Sequence, residues 1–305
     1  MKVGFIGTGH MGNPMVRKLL DAGYEMVVHD KRQQTTANLI ELGATWADSP
    51  AAVAAQTEIL FTSHPGPAEV DEAALGEDGI LEGAKEGTIH VDLTSSIPSS
   101  VRRLARIAKT KGVTYLEAPV SDMVSGAIGV EEARLTIFVG GDEAVLERVR
   151  PMIETFCKHV FHTGEVGSGN VIKLTNNMIS LGSSVLIQEA LAVGVKAGVD
   201  PMKLYEMWNV SSASRWVQGV PRMIESAPST REPSFTLLLS AKDVGCCLEM
   251  SRELGVPMTV GAAVSQVFTR TVARGYGPEN PGATLLTIEE EAGVQIRKNQ
   301  GLGRA

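Results

Sequence analysis

The chain has 305 residues, 43% hydrophobic and 21% charged, with a formal net charge of -7. That length and apolar content supply the cores of two ordinary domains, while mild acidity argues against nucleic acid, which would favour a clustered basic face. No apolar run reaches the ~18 residues that a membrane span needs. Cys157, Cys246 and Cys247 are too few and too poorly spaced for a disulfide framework or a metal site, and Met1-Lys2 leads into a strand without a leader pattern, so a cytoplasmic protein with no metal and no membrane partner is expected.

The first element is a short apolar strand, Lys2 to Ile6, which runs into Gly7-Thr8-Gly9-His10-Met11-Gly12 and an amphipathic helix, Asn13 to Asp21. This is a G-x-G-x-x-G dinucleotide-binding start. Gly7 serves the tight turn, Gly9 lets backbone approach a pyrophosphate, and Gly12 lets helix and strand pack closely. The amides around His10 and Met11 then lie at a helix amino terminus, where phosphates bind. After the turn Ala22-Gly23-Tyr24, a second strand, Glu25 to His29, ends at Asp30, where an acid takes the ribose 2′-hydroxyl of NAD. Lys31-Arg32 directly after it offers a partner for a 2′-phosphate, so NAD is expected with NADP as the alternative.

Further short apolar or β-branched runs follow at Glu58 to Thr62, Thr88 to Val91, Val113 to Leu116 and Leu135 to Val139, alternating with helical stretches. The pattern predicts βαβ organisation: an α/β, Rossmann-type, doubly wound and mostly parallel sheet. Ligands on such sheets bind beyond the carboxyl ends of the strands, which draws in the loops Ser63 to Pro67 and Asp92 to Ser96. His64, Pro65, Thr94 and Ser95 are therefore expected at the cofactor, His64 as a wall of the site and not as an acid or base.

From Val166 onward helical periodicity replaces strand signals, with Asp200-Pro201 a helix start and Gly255-Val256-Pro257 a break. A dinucleotide-binding domain over 1–164 and an all-α C-terminal substrate and oligomerisation domain over 165–305 are predicted. The helical half opens with Gly167-Ser168-Gly169-Asn170-Val171-Ile172-Lys173-Leu174-Thr175-Asn176-Asn177. Lys173, Asn177, Ser180 and Ser184 lie on one face of an otherwise apolar helix. A buried lysine and amide there need partners, and the apolar remainder predicts burial against a second subunit in a homodimer or homotetramer.

On these residues the chain resembles the β-hydroxyacid dehydrogenases, the 3-hydroxyisobutyrate dehydrogenase family. Gly7 to Met15 is similar to the family's cofactor motif, Glu117-Ala118-Pro119-Val120-Ser121 to its substrate motif, Gly167 to Asn177 to its catalytic motif, and Lys242-Asp243 to a late pair that closes over the nicotinamide. The helical half also resembles the C-terminal domain of 6-phosphogluconate dehydrogenase. The resemblance implies an NAD(P)-dependent oxidoreductase that moves a hydride between a nicotinamide and a small acidic 3-hydroxy acid or the related semialdehyde. Lys173 would be the catalytic acid or base, Asn177 would orient substrate or lysine, Ser121 would hold the acidic group, and Lys242 would contact the cofactor.

Two departures concern the rim. The family continues its substrate motif with two glycines where this chain has Asp122 and Met123, and the stretch Gly126 to Arg134 is longer than usual. Both Asp122 and Met123 are placed in the substrate site, and Asp122 is read either as facing a hydroxyl or ammonium of the substrate or as capping a turn in solvent. The alternatives are an imine or aldehyde reductase on the same scaffold, against which Lys173 speaks, and a non-catalytic NAD-binding protein, against which the joint presence of Lys173, Asn177, Ser121 and Lys242 speaks.

Overall fold

The computed structural model describes residues 1–122, 126–225, 233 and 235–297. Nine strands build one sheet: β1 (Lys2–Ile6), β2 (Glu25–His29), β3 (Thr45–Trp46), β4 (Ile59–Thr62), β5 (Ile89–Asp92), β6 (Thr114–Glu117), β7 (Val120–Ser121), β8 (Leu135–Gly140) and β9 (Cys157–Gly164). The order is β3-β2-β1-β4-β5-β6-β8-β7, with β9 pairing β8. Strands β1 to β6 are parallel, β8 runs antiparallel to β6 and β7, and β9 is parallel to β8. Order reverses at β1, which is flanked by β2 and β4, so the crevice for a ligand lies beyond the carboxyl ends of β1 and β4.

Period-two alternation feeds a core on each face of this sheet. Val3, Phe5, Val28, Ile59 and Phe61 enter one cluster, while Ile6, Val27 and Leu60 enter the other. Strands β5 and β6 run one residue further than the apolar pattern predicts, because each ends on a polar residue that is nonetheless buried, Asp92 and Glu117. These two are paired in register, and Asp92 also pairs with Thr62 at the end of β4. The first helix begins at Gly12, one residue before the predicted Asn13.

The chain divides into two compact units, Met1–Thr175 and Asn176–Ala305, so the break falls inside the long helix Ser168–Lys196. The second unit is helical, with Pro201–Asn209, Val220–Glu225, Leu237–Glu253, Thr259–Thr271 and Thr284–Ala292. Asp200 caps its helix as predicted, its side chain accepting from the amides of Met202 and Lys203. Leu191, Val220, Ile224, Leu285 and Ile288 form the core of this unit, and Thr284 donates to Gln188 Oε1 at 2.6 Å.

The long helix corrects the reading of apolar runs. It has 29 residues, and its richest 18-residue window reaches a mean hydropathy of 1.6 with 33% of the window buried, so among the described residues it alone is long and apolar enough to cross a membrane. Scattered Asn and Ser interrupt the apolar run, yet the window mean still reaches 1.6. Buried polar Lys173, Asn177 and Gln188 on one side are features of a helix packed in protein.

Candidate active site

The glycine loop has the geometry its sequence requires. Gly7 sits at φ +92° with the Ser63 carbonyl where a Cβ would project, and a Cβ on Gly12 would overlap the Gly7 carbonyl. A Cβ on Gly9 would meet only Arg32 Nη2, at 3.8 Å. Gly7 and Gly12 thus serve the turn and the packing, and Gly9 leaves backbone open to a ligand. The helix that follows has Met11 at its N-cap, no side-chain cap and no acid in its first turn, so its amino terminus remains available to a pyrophosphate. His10 is exposed and Met11 half-buried at that terminus.

At the end of β2, Asp30 Oδ2 accepts from Thr8 N and Oδ1 from Arg32 N, each at 2.8 Å. The glycine loop thereby fixes the acid. Lys31 is turned to Glu72, with Nζ 2.6 Å from Oε2 at the exposed surface, and Arg32 is the basic residue beside Gly9. These residues fit a dinucleotide: an open glycine, a helix amino terminus without a side-chain cap, an oriented acid, and one guanidinium near the ribose end.

Beyond β4 and β5 two loops are tied together, because His64 N donates to Thr94 Oγ1 at 3.0 Å and Thr94 N donates to Asp92 Oδ1 at 3.1 Å. Under them lies a buried polar cluster. Thr62 Oγ1 donates to Asp92 Oδ1 at 2.9 Å and contacts His90 Nε2 at 2.9 Å, while Tyr115 OH donates to Asp92 Oδ2 at 2.7 Å. Burial pushes His90 down to about 4 and Tyr115 up, so both are neutral near pH 7. His64 is also pushed below its ordinary value by burial. Pro65 is exposed and Ser95 half-buried beside these loops.

Ser121 ends the short strand β7 opposite Thr136. Asp122 is not a solvent-facing cap: its side chain is 6% exposed, and Arg134 Nε lies 3.6 Å from Oδ1. Its Oδ2 packs where a Cβ on Gly129 would be, and Arg134 also pairs with Glu132. Part of the longer stretch forms a helix, Gly126–Glu131, and its Arg134 neutralises the acid that replaces the usual glycine. Met123 lies outside the described residues.

The polar stripe of the long helix divides. Lys173 and Asn177, one turn apart, are 8% and 7% exposed, whereas Ser180 is exposed and Ser184 half-buried, accepting from Gln188 Nε2 at 3.3 Å. In the second unit, Asn177 Nδ2 donates to Asp243 Oδ2 at 2.5 Å. Lys242 Nζ stands 2.6 Å from Asp243 Oδ1, a close ion pair without hydrogen-bond alignment. The sequence names Asp243 only as the neighbour of Lys242 in the late pair, and the structure gives it a role of its own as the acceptor of the Asn177 amide.

Glu117 and Asn170 are likewise named only within motifs, and both are fully buried. Glu117 Oε1 accepts from Gly167 N and, at 2.9 Å, from Gly169 N, and Oε2 accepts from Asn170 N at 3.3 Å and from Asn170 Nδ2. Burial raises the Glu117 pKa, and those donors oppose the shift. The three cysteines are buried thiols, Cys246 pushed up to about 11, and no group of metal-ligating side chains occurs among the described residues.

Two family profiles match the chain in succession. The NAD-binding domain of 6-phosphogluconate dehydrogenase covers residues 2–164, and the NAD-binding domain of NADP-dependent 3-hydroxyisobutyrate dehydrogenase covers 167–287. The chain is 34% identical over 300 residues to 2-(hydroxymethyl)glutarate dehydrogenase of Eubacterium barkeri, covering 98% of this chain and 99% of that protein. It is 35% identical over 284 residues to a probable mitochondrial 3-hydroxyisobutyrate dehydrogenase of Dictyostelium discoideum, covering 91% and 88%. The fold is that of Mycobacterium tuberculosis 3-hydroxyisobutyrate dehydrogenase, solved with L-serine, at TM-score 0.83 and 23% identity over 94% of this chain and 98% of that one. Two family profiles that together span nearly the whole chain, and relatives of 34% and 35% identity over most of their own length, show that the chain belongs to the β-hydroxyacid dehydrogenase family.

Proposed function

We propose that the chain oxidises a small 3-hydroxy acid to the corresponding semialdehyde, or runs the reverse reaction, with Lys173 as the acid or base. Residues 1–164 would bind the dinucleotide, and 165–305 would supply substrate contacts and the subunit interface. The glycine loop, Asp30, Lys31 and the His64, Pro65, Thr94 and Ser95 loops would hold NAD, or NADP with Arg32 at its 2′-phosphate. When bound, the nicotinamide supplies the hydride acceptor. Lys173 takes the hydroxyl proton during oxidation and returns a proton to the alkoxide during reduction. Ser121 and neighbouring backbone hold the carboxylate, and the compensation of Asp122 by Arg134 lifts the repulsion a free acid would exert there. Asp243 fixes the Asn177 amide, whose oxygen accepts from Asn176 Nδ2 at 3.3 Å, and Lys242, held by the same acid, would reach the cofactor.

The observation that carries this reading is a buried lysine one turn from a buried, hydrogen-bonded asparagine on one helix, within a chain that carries a complete dinucleotide loop. A panel of 3-hydroxy acids, hydroxy dicarboxylic acids and β-hydroxy amino acids, assayed with NAD+ and NADP+ for wild type and Lys173→Ala, tests it. Turnover by wild type that collapses in the variant while NADH still binds is expected. Unchanged turnover in the variant removes Lys173 from the chemistry, and turnover of imines in place of hydroxy acids moves the chain to the reductase reading.

The long helix also supports a homodimer or homotetramer. Ile172, Ile179, Leu186 and Val193 recur every seventh residue and are 39%, 62%, 67% and 72% exposed. A stripe at that spacing fits a facing helix of a second copy. Free, buried thiols fit a reducing, cytoplasmic compartment.

A further inference from the structure

We infer that Glu117 and Asn170 are positioning residues that lock the turn bearing Lys173 to the loop after β5, an inference that rests on the role of Lys173 proposed above. The first four amides of a helix have no partner within it. Counted from Gly167, the residue before the long helix, all four are satisfied, three of them by one carboxylate. Gly167 N, Gly169 N and Asn170 N go to Glu117, and Ser168 N donates to Glu165 O at 3.1 Å. The Asn170 side chain then joins two elements: its Nδ2 donates to Glu117 Oε2, and its Oδ1 accepts from Ser96 N at 2.7 Å. Ser96 closes the Asp92 to Ser96 loop, and Glu117 is the last residue of β6. Glycines let the backbones meet here, because a Cβ on Gly169 would overlap the Phe138 carbonyl and one on Gly140 would overlap Glu117 Oε1.

A fully buried carboxylate with no cation paired to it among the described residues is an expensive way to begin a helix, since an Asp or Ser at the N-cap satisfies the same amides from the surface. What the buried acid adds is direction. Rotation of a helix by one residue turns its side chains by about 100°. Three backbone amides and one side-chain amide on a single carboxylate leave the first turn no freedom to rotate or slide. Lys173 follows Asn170 by three residues and shares its face, so the direction of the lysine is set by the same contacts. The bridge therefore holds the proton acceptor in fixed register with the Thr94–Ser96 loop.

Glu117→Gln tests the bridge with little change in volume. Its amide nitrogen would face the Asn170 N and Nδ2 donors, and flipping the Asn170 amide to relieve this would set Nδ2 against Ser96 N. The expected result is a fall in kcat of roughly 10- to 100-fold, with substrate KM and NADH affinity within about threefold of wild type. Glu117→Asp should recover part of the loss, and the pH profile of kcat should shift in the Gln variant. In a Lys173→Ala background the same substitution should have no further effect, because the bridge acts through the lysine. Asn170→Ala keeps the three backbone amides on Glu117 and repeats the kcat measurement if the Gln variant melts too low. A kcat within about twofold of wild type in Glu117→Gln or Asn170→Ala, or an equal loss with and without Lys173, overturns the positioning role. Failure of the dehydrogenase reading shows separately, as full turnover in Lys173→Ala alone.

Discussion

The long helix begins in a closed set of polar contacts and continues as an apolar surface. Around Asn170 every orphan amide has a named acceptor, and the carboxylate that receives them is fully buried. Further along, about two and four turns on, Ile179 and Leu186 point away from their own unit, 62% and 67% exposed. One sequence thus carries two kinds of specification. Directional hydrogen bonds fix a side chain to fractions of an ångström, whereas an apolar stripe specifies only that something covers it. The first suits a residue that must meet a reacting atom and the second suits an interface.

Four substitutions break or sharpen that contrast. The largest effect is expected at the polar end: Lys173→Ala should lower kcat by about 10²- to 10⁴-fold, ~3–5 kcal/mol of barrier, while NADH titration shows cofactor affinity retained. Next comes acid, which should strike the buried polar cluster of the first unit. His90 is held at about 4 against an unfolded value near 6.5, so below 6.5 the unfolded chain binds the proton that the native fold refuses. Stability is therefore full above pH 6.5 and lost as pH falls toward 4, by about 3 kcal/mol across that window. His90→Phe should flatten the slope in urea melts at pH 7 and pH 5, and an unchanged slope would assign acid sensitivity to other groups.

On the apolar stretch, Leu186→Glu should weaken subunit association by about 2 kcal/mol or more, read as dissociation by light scattering on dilution. A wild-type chain that is already monomeric at micromolar concentration removes the interface. The smallest effect belongs to Ser180→Ala: the residue lies on the predicted polar stripe yet is exposed, and its loss should leave kcat unchanged and stability within about 0.5 kcal/mol. A marked fall in kcat there would extend the catalytic face past Asn177.

Local patterns were legible where one element carries its own signal. The glycine loop, Asp30 at the end of β2, the Asp200 cap and the opening of the long helix all appear as predicted, since each depends on residues adjacent in sequence. Asp92 and Glu117 were cut from their strands because polarity ends an apolar run, although burial keeps them in the sheet. The stripe from Lys173 to Ser184 shows the reverse error, as helical spacing places all four residues on one face but does not say which of them the fold covers. Asp122 was open between substrate and solvent, and its partner Arg134 could not be chosen in advance from many exposed-looking basic residues.

What the sequence determined by itself is the dinucleotide loop and the alternation of strands and helices, because glycine conformation and side-chain periodicity are properties of short segments; the family was legible as a resemblance of motifs. What only the tertiary structure decided is which charges are neutralised and which side chains are aimed. Glu117 meets Asn170 across a sequence separation of 53, and Ser96 reaches the same amide across one of 74. Such bonds form only after the sheet brings strand ends to the first turn of the helix, and no local preference of either residue encodes the meeting.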